Sequence, residues 1–171
     1  MNIIIIKIIF INNIMAIKRL QNEFKQYLDE PSTYYSISPE KTNFLKWNII
    51  LLGPSETIFE GGAFRCKLEF TKDYPNKPPI FSFIDNLFHP NIYPNGKVCM
   101  SILHEGEDIY GYENISERWC PSHSVDSILM SLLLVLIEPN FESPANVDAS
   151  KLWRTNFNEY KKIVYKHIAS V

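Results

Sequence analysis

The sequence predicts one α+β domain, and three observations carry that expectation. Apolar residues recur at helical spacing near both ends of the chain, and short β-like runs broken by Gly and Pro fill the stretch from Tyr34 to Phe83. The runs are grouped together ahead of the main helical block, so they read as an antiparallel meander with helices packed on it. At 171 residues, with 46% hydrophobic and 13% aromatic content, the chain can enclose one sizeable core.

Taken in order, the first element is a helix over about Met15 to Asp29, because Ile17, Leu20, Phe24 and Leu28 keep the three-and-four spacing and Pro31 closes the pattern. Strands come next at Tyr34 to Ile37, Leu45 to Leu52, Ala63 to Phe70 and Ile80 to Phe83. Between them stand Gly53-Pro54, Gly61-Gly62 and Tyr74-Pro75-Asn76-Lys77-Pro78-Pro79. In the third strand Phe64, Cys66, Leu68 and Phe70 alternate with Arg65, Lys67 and Glu69, which predicts one buried and one wet face and makes Cys66 a small core residue. The second alternates less cleanly. With Leu45, Trp47, Ile49 and Leu51 inward, Asn48, Ile50 and Leu52 lie on the wet face, where two large apolar residues mark a docking patch.

A polar stretch without periodicity, Pro90 to Arg118, precedes a helix with Val125, Ile128, Leu129, Leu132, Leu133 and Leu136 on one side and Met130, Leu134 and Val135 on the other. Apolar nearly all round, it is expected to be central and buried, with Ser124 as its N-cap and Asp126 in the favourable first turn. Two more helices are expected at about Val147 to Thr155 and Phe157 to Ala169.

Charge and cysteine usage exclude some functions. Seventeen Lys and Arg against 19 Asp and Glu leave a net charge of −2, with no basic excess for nucleic acid. Three cysteines, Cys66, Cys99 and Cys120, are too few and odd in number for a disulfide framework, so they read as thiols in a reducing compartment. Residues 1–14 differ in kind, with eight isoleucines and one charge, Lys7. They are too short to span a bilayer, which takes roughly 20 apolar residues, and lack a cleavage site. A mis-chosen translation start ahead of Met15 is the first reading of this extension; interfacial attachment through Ile3 to Ile11 is the second. The working domain is taken as residues 15–171.

The chemistry is concentrated in His89-Pro90-Asn91-Ile92-Tyr93-Pro94-Asn95-Gly96-Lys97-Val98-Cys99, where a thiol follows an amide side chain on a loop stiffened by prolines and turned by Asn95-Gly96. A thiol can carry an acyl group as a thioester, and a fixed amide can donate to the oxyanion formed when a second nucleophile attacks it. On residues alone, an inert core cysteine, a cysteine hydrolase using His104, and a metal site of His104, Cys120 and His123 all stay open.

The order of Gly53-Pro54, Glu60-Gly61-Gly62, Tyr74 to Pro79, His89-Pro90-Asn91, Cys99, Trp119-Cys120-Pro121 and Glu138-Pro139-Asn140 resembles the ubiquitin-conjugating enzymes over essentially all of Met15 to Val171. The resemblance implies the UBC-like fold. The long insert between Cys99 and Trp119 is similar to the acidic-loop, G-type branch that serves ER-associated degradation. Ser101 to His104, Gly111-Tyr112-Glu113, Glu117-Arg118-Trp119 and Ala145 to Ala149 all match it.

The resemblance also implies roles for single residues. By it, Cys99 accepts ubiquitin from the activating enzyme as a thioester, and Asn91 stabilises the oxyanion or the loop. His89 is structural, and Tyr93 lines the site mouth or is simply exposed. Many relatives place an acid where Ser143 stands, after Glu142, which leaves the lysine-orienting group open. The insert holds five acids, Glu105, Glu107, Asp108, Glu113 and Glu117, against Arg118 alone. It is either a solvated loop or the element through which His104, Glu107 and Asp108 position the acceptor lysine, with Glu142 contributing.

Lys18, Arg19, Pro75, Asn76, Trp119 and Pro121 match positions where relatives meet RING-type ligases. Ser36, Asn48, Ile50, Leu52, Arg65 and Lys67 form the sheet face that G-type relatives present to a helical segment of a membrane-bound ligase. No cofactor or metal is implied, ATP being used upstream; the location implied is cytoplasmic, at the cytosolic face of the endoplasmic reticulum. The rival reading is a catalytically silent ubiquitin-binding adaptor of the same fold.

Overall fold

The computed structural model describes residues 3–170 except Asn86, Tyr110 and Tyr112, with residues 3–13 described as backbone only. Helix α1 (Ile3–Asp29) leads into strands β1 (Tyr35–Pro39), β2 (Lys46–Leu52), β3 (Ala63–Glu69) and β4 (Ile80–Phe83). Helices α2 (Val125–Ile137), α3 (Val147–Thr155) and α4 (Phe157–Ile168) complete the chain, and two short 3-10 turns, Ser101–Leu103 and Ile115–Glu117, lie before α2. The strands pair antiparallel in sequence order, β1-β2-β3-β4. This is the α+β architecture expected from the sequence.

Three expectations need correction. Helix α1 begins at Ile3 instead of near Met15, since nothing between them, neither Gly nor Pro, stops the backbone. Within it Leu28 is exposed, while Ala16 and Glu23 are buried. Finally, α2 is not enclosed all round: Met130, Leu134 and Ile137 face outward and only the opposite stripe enters the core. A helix laid on one side of a sheet can bury one stripe, whatever its composition. The Tyr112 part of the Gly111-Tyr112-Glu113 match, Met1, Asn2 and Val171 lie outside the described residues.

The register decides both sheet faces. Trp47, Ile49 and Leu51 on β2 join Phe64, Cys66 and Leu68 on β3 and Phe81 and Phe83 on β4 in one core with Val125, Ile128, Leu129, Leu132, Leu133 and Leu136. On the other face Ser36, Ile50 and Arg65 stand in one row, and Ser38, Asn48, Lys67 and Ser82 in the next. Ile50 and Leu52 are 37% and 43% exposed there. Ion pairs frame them: Arg65 with Asp85, Lys67 with Glu40 at 3.3 Å and Lys46 with Glu69 at 2.7 Å.

Glu23 ties the first helix to the last layer. One carboxylate oxygen accepts from Tyr74 Oη (2.6 Å) and Arg19 Nε (2.5 Å), and the other accepts the Val125 N–H (2.7 Å), at the start of α2. Ser124 and Ser127 close a reciprocal cap on the same turn.

Candidate active site

The segment leading to Cys99 is a small hairpin stitched onto β4. Phe83 N–H donates to Gly96 O (2.8 Å) and Val98 N–H to Phe81 O (3.0 Å). Tyr93 N–H donates to Lys97 O (2.9 Å), and Gly96 turns the chain at φ +84°, a conformation that glycine adopts without strain. Cys99 N–H then donates to Asn91 O (2.9 Å). The Asn-Gly signal in the sequence thus fixes where the thiol emerges.

The opposite arm is anchored from the C-terminal helices. Phe88 O accepts from Tyr160 Oη (2.7 Å) and Pro90 O from Asn146 N–H (2.9 Å), while the Asn146 side chain caps α3 through Ala149 N–H (3.0 Å). His89 is fully buried, its ring against Phe59 and Trp153. Its Nδ1 accepts the Asn91 N–H (3.1 Å), which leaves the ring proton on Nε2. That nitrogen faces the Val135 and Leu136 carbonyls at the end of α2 but closes no well-formed hydrogen bond. Burial pushes the His89 pKa down to about 3, so the ring is neutral.

Asn91 is also buried. Its Nδ2 donates to Asn140 O (2.9 Å) and its Oδ1 accepts Asn140 N–H (2.9 Å), so the amide staples the hairpin to the loop after α2. Nδ2 retains a second hydrogen, and Asn91 lines a cleft of about 100 Å³ with Cys99, Ser101, His104, Glu113, Asn140 and Ser143. A second cleft of about 180 Å³ meets Cys99 from the other side, between Pro78, Tyr93, Lys97, Leu103 and His104. Tyr93 is 41% exposed, and the negative charge of a Cys99 thiolate beside it raises its pKa. A larger cavity of about 500 Å³ lies between α1 and the start of α2 and shares no lining residue with these clefts.

The three thiols therefore differ in access. Cys66 is buried in β3, and desolvation pushes its pKa well up. Cys120 is exposed in a loop, where the Ser122 hydroxyl lowers its pKa. Cys99 is half-buried between two clefts, positioned by backbone hydrogen bonds.

The insert returns to this thiol through Glu113, an acid that the sequence alone does not single out. His104 Nε2 stands 3.7 Å from Cys99 Sγ, and its Nδ1 lies 2.8 and 2.9 Å from the two oxygens of Glu113. Glu113 also accepts from Ser101 Oγ (3.0 Å) and pairs with Arg118, whose guanidinium ties Gly106 O (2.6 Å) and Glu105 O (2.9 Å). Asp108 supports the turn by accepting Glu113 N–H (3.0 Å); Glu107 is exposed and, among the described residues, takes no part in this network. Glu142 and Ser143 are exposed, Ser143 at the cleft edge. The sequence places Glu113 in the Gly111-Tyr112-Glu113 match without giving it a role, and Arg118, the insert's single Lys or Arg, is the signal that points to a partner acid. Among the described residues no three His, Cys, Asp or Glu side chains gather as metal ligands, so His104, Cys120 and His123 are not brought together.

The positions matched to ligase contact divide. Lys18, Asn76 and Pro121 are exposed. Arg19 is half-buried and donates to Pro121 O (3.1 Å) and His123 O (2.8 Å). Trp119 is only 8% exposed and donates its ring N–H to Pro75 O (2.8 Å), so it braces the loop and leaves Cys120 to Ser122 as the presented surface.

Residues 19–168 match the family model described as ubiquitin-conjugating enzyme. The chain is 48% identical to human ubiquitin-conjugating enzyme E2 G2 over 150 residues, covering 86% of this chain and 91% of that protein. It is 44% identical over 147 residues to ubiquitin-conjugating enzyme E2 15 of Schizosaccharomyces pombe, covering 85% and 88%. With ubiquitin-conjugating enzyme E2 13 of Arabidopsis thaliana it shares 44% identity over 154 residues, 89% of this chain and 93% of the relative. No described helix is long and apolar enough to cross a membrane.

Proposed function

This chain belongs to the ubiquitin-conjugating enzymes, which work with ubiquitin, an activating enzyme and ligases, and from that premise we propose that Cys99 is the residue that carries ubiquitin. The observation that carries the proposal is the contrast between thiols: Cys99 alone of the three opens into clefts flanked by an amide, a histidine and a tyrosine. Ubiquitin's C-terminal carboxyl is held on Sγ as a thioester, and the nitrogen of a lysine attacks its carbonyl carbon. An amine of ordinary pKa about 10.4 must first be desolvated and deprotonated, which a half-closed cleft favours. Asn91, with one amide hydrogen uncommitted, supplies a donor toward the oxyanion.

Partners and product belong to the same proposal. The acidic insert, carrying Glu107 and Asp108 beside His104, positions an acceptor ubiquitin, and chains of the linkage that signals proteasomal degradation are the product. A RING-type ligase docks on Lys18, Arg19, Pro75, Asn76 and the loop after Trp119. The Ile50 and Leu52 face receives a helical segment of a membrane-bound ligase, which holds the enzyme at the cytosolic side of the endoplasmic reticulum in ER-associated degradation. Residues 15–171 constitute the catalytic unit.

The test is charging with activating enzyme, ATP and ubiquitin. Cys99→Ser should convert a reductant-labile adduct into one that survives thiol, because an ester replaces the thioester, while Cys66→Ser and Cys120→Ser should keep the labile adduct. A labile adduct on Cys99→Ser would move the nucleophile elsewhere, and no adduct on the unaltered enzyme would favour the silent adaptor.

A further inference from the structure

We propose that Glu113 is a positioning residue which, by holding the His104 ring, makes His104 Nε2 the proton acceptor at the Cys99 thioester; the proposal rests on the reading of Cys99 as the ubiquitin carrier. A carboxylate only accepts hydrogen bonds, and both Glu113 oxygens lie within 2.9 Å of His104 Nδ1. Nδ1 therefore bears the proton in the neutral ring, and the Nε2 lone pair faces Cys99 Sγ across 3.7 Å. The same spacing places a third atom, the nitrogen attacking a thioester on Sγ, within reach of Nε2.

Glu113 is itself held on three sides. Ser101 Oγ donates to it at 3.0 Å, its own N–H is taken by Asp108 Oδ2 at 3.0 Å, and Arg118 pairs with the oxygen turned from Ser101. Its side chain is 19% exposed and that of Arg118 is 11% exposed, so the network is protected from solvent more than a surface ion pair is. Trp119 N–H closes the neck of the insert on His104 O at 3.0 Å, which fixes the histidine's backbone as Glu113 fixes its ring.

A desolvated amine, having lost one proton to water, attacks the carbonyl carbon; the C–N bond forms, the C–S bond breaks and its electron pair stays on Sγ. The proton shed by nitrogen passes to Nε2 and from there to Sγ. The products are the amide and a free Cys99 thiol, with His104 neutral again.

Nitrogen-15 NMR of the His104 ring and single-turnover discharge of the preloaded enzyme to free lysine test the arrangement together. The unaltered enzyme should show the Nδ1–H tautomer. Glu113→Ala should shift the ring toward the Nε2–H tautomer and slow discharge about 10-fold or more, and Glu113→Asp should restore part of both. A tautomer unmoved by Glu113→Ala, or a discharge rate within about twofold of the unaltered enzyme, overturns the proposal. Should Glu113→Ala fail to fold, His104→Ala reads the same relay: discharge should fall roughly 10²-fold and free imidazole should recover part of it, whereas a rate within about twofold overturns it. The two readings fail separately. A labile adduct on Cys99→Ser defeats the carrier assignment, while a normal Cys99 dependence with an unmoved His104 tautomer defeats only the relay.

Discussion

Asn91 is placed for two tasks with one amide. Its hydrogen bonds to both polar groups of the Asn140 backbone hold the hairpin against the loop after α2, and its remaining hydrogen is available to the cleft. Loss of one oxyanion donor typically slows the chemical step by about 10²-fold. Asn91→Ala should therefore slow aminolysis of a preformed thioester by roughly that factor, with a smaller loss in charging. Equal losses in both steps would mean that the staple, and not the donor, is the part that matters. His89, two residues earlier, touches neither cleft and acts through the Asn91 backbone that its Nδ1 accepts from.

Among the elements, the sheet is a wall with two different faces. Its inner face meets α2 in the core, and its outer face exposes Ile50 and Leu52 inside a frame of ion pairs. Exposed apolar side chains set among charges suit an amphipathic helix, whose own apolar stripe would cover them. Ile50→Asp should abolish binding of a helical ligase-derived peptide, measured by titration calorimetry, while changing the unfolding free energy by no more than about 0.5 kcal/mol. Undiminished peptide binding would place the partner on another surface.

For the molecule as a whole, burial of His89 makes stability depend on pH. Its folded pKa of about 3 lies below the ordinary value of about 6.5, so the unfolded chain binds a proton that the folded one refuses. The contribution of the neutral ring is complete above about pH 6.5. It is lost as pH falls toward 3, at a slope of at most about 1.4 kcal/mol per pH unit. Urea unfolding at pH 7.5 and 5.0 should show His89→Asn losing about 2 kcal/mol less between the two than the unaltered chain, and the native His89 ring should not titrate in that interval. Identical losses, or a ring that titrates above pH 5, would contradict the burial argument.

The order of elements, the alternation that buries Trp47 and exposes Ile50, and the turn at Asn95-Gly96 that delivers Cys99 were all legible along the chain. Each of these depends on neighbours along the chain, through side-chain period or backbone freedom, and so is written locally. The same local logic failed at α2, where composition suggested a helix covered all round and the layer left Met130 and Leu134 outside. Which of five acids returns to the thiol, and that Trp119 is buried with its ring N–H on Pro75 O, became visible only in the folded chain. Glu113 is chosen by contacts with Ser101, His104 and Arg118 that close across a loop, and no periodicity encodes a meeting of that kind.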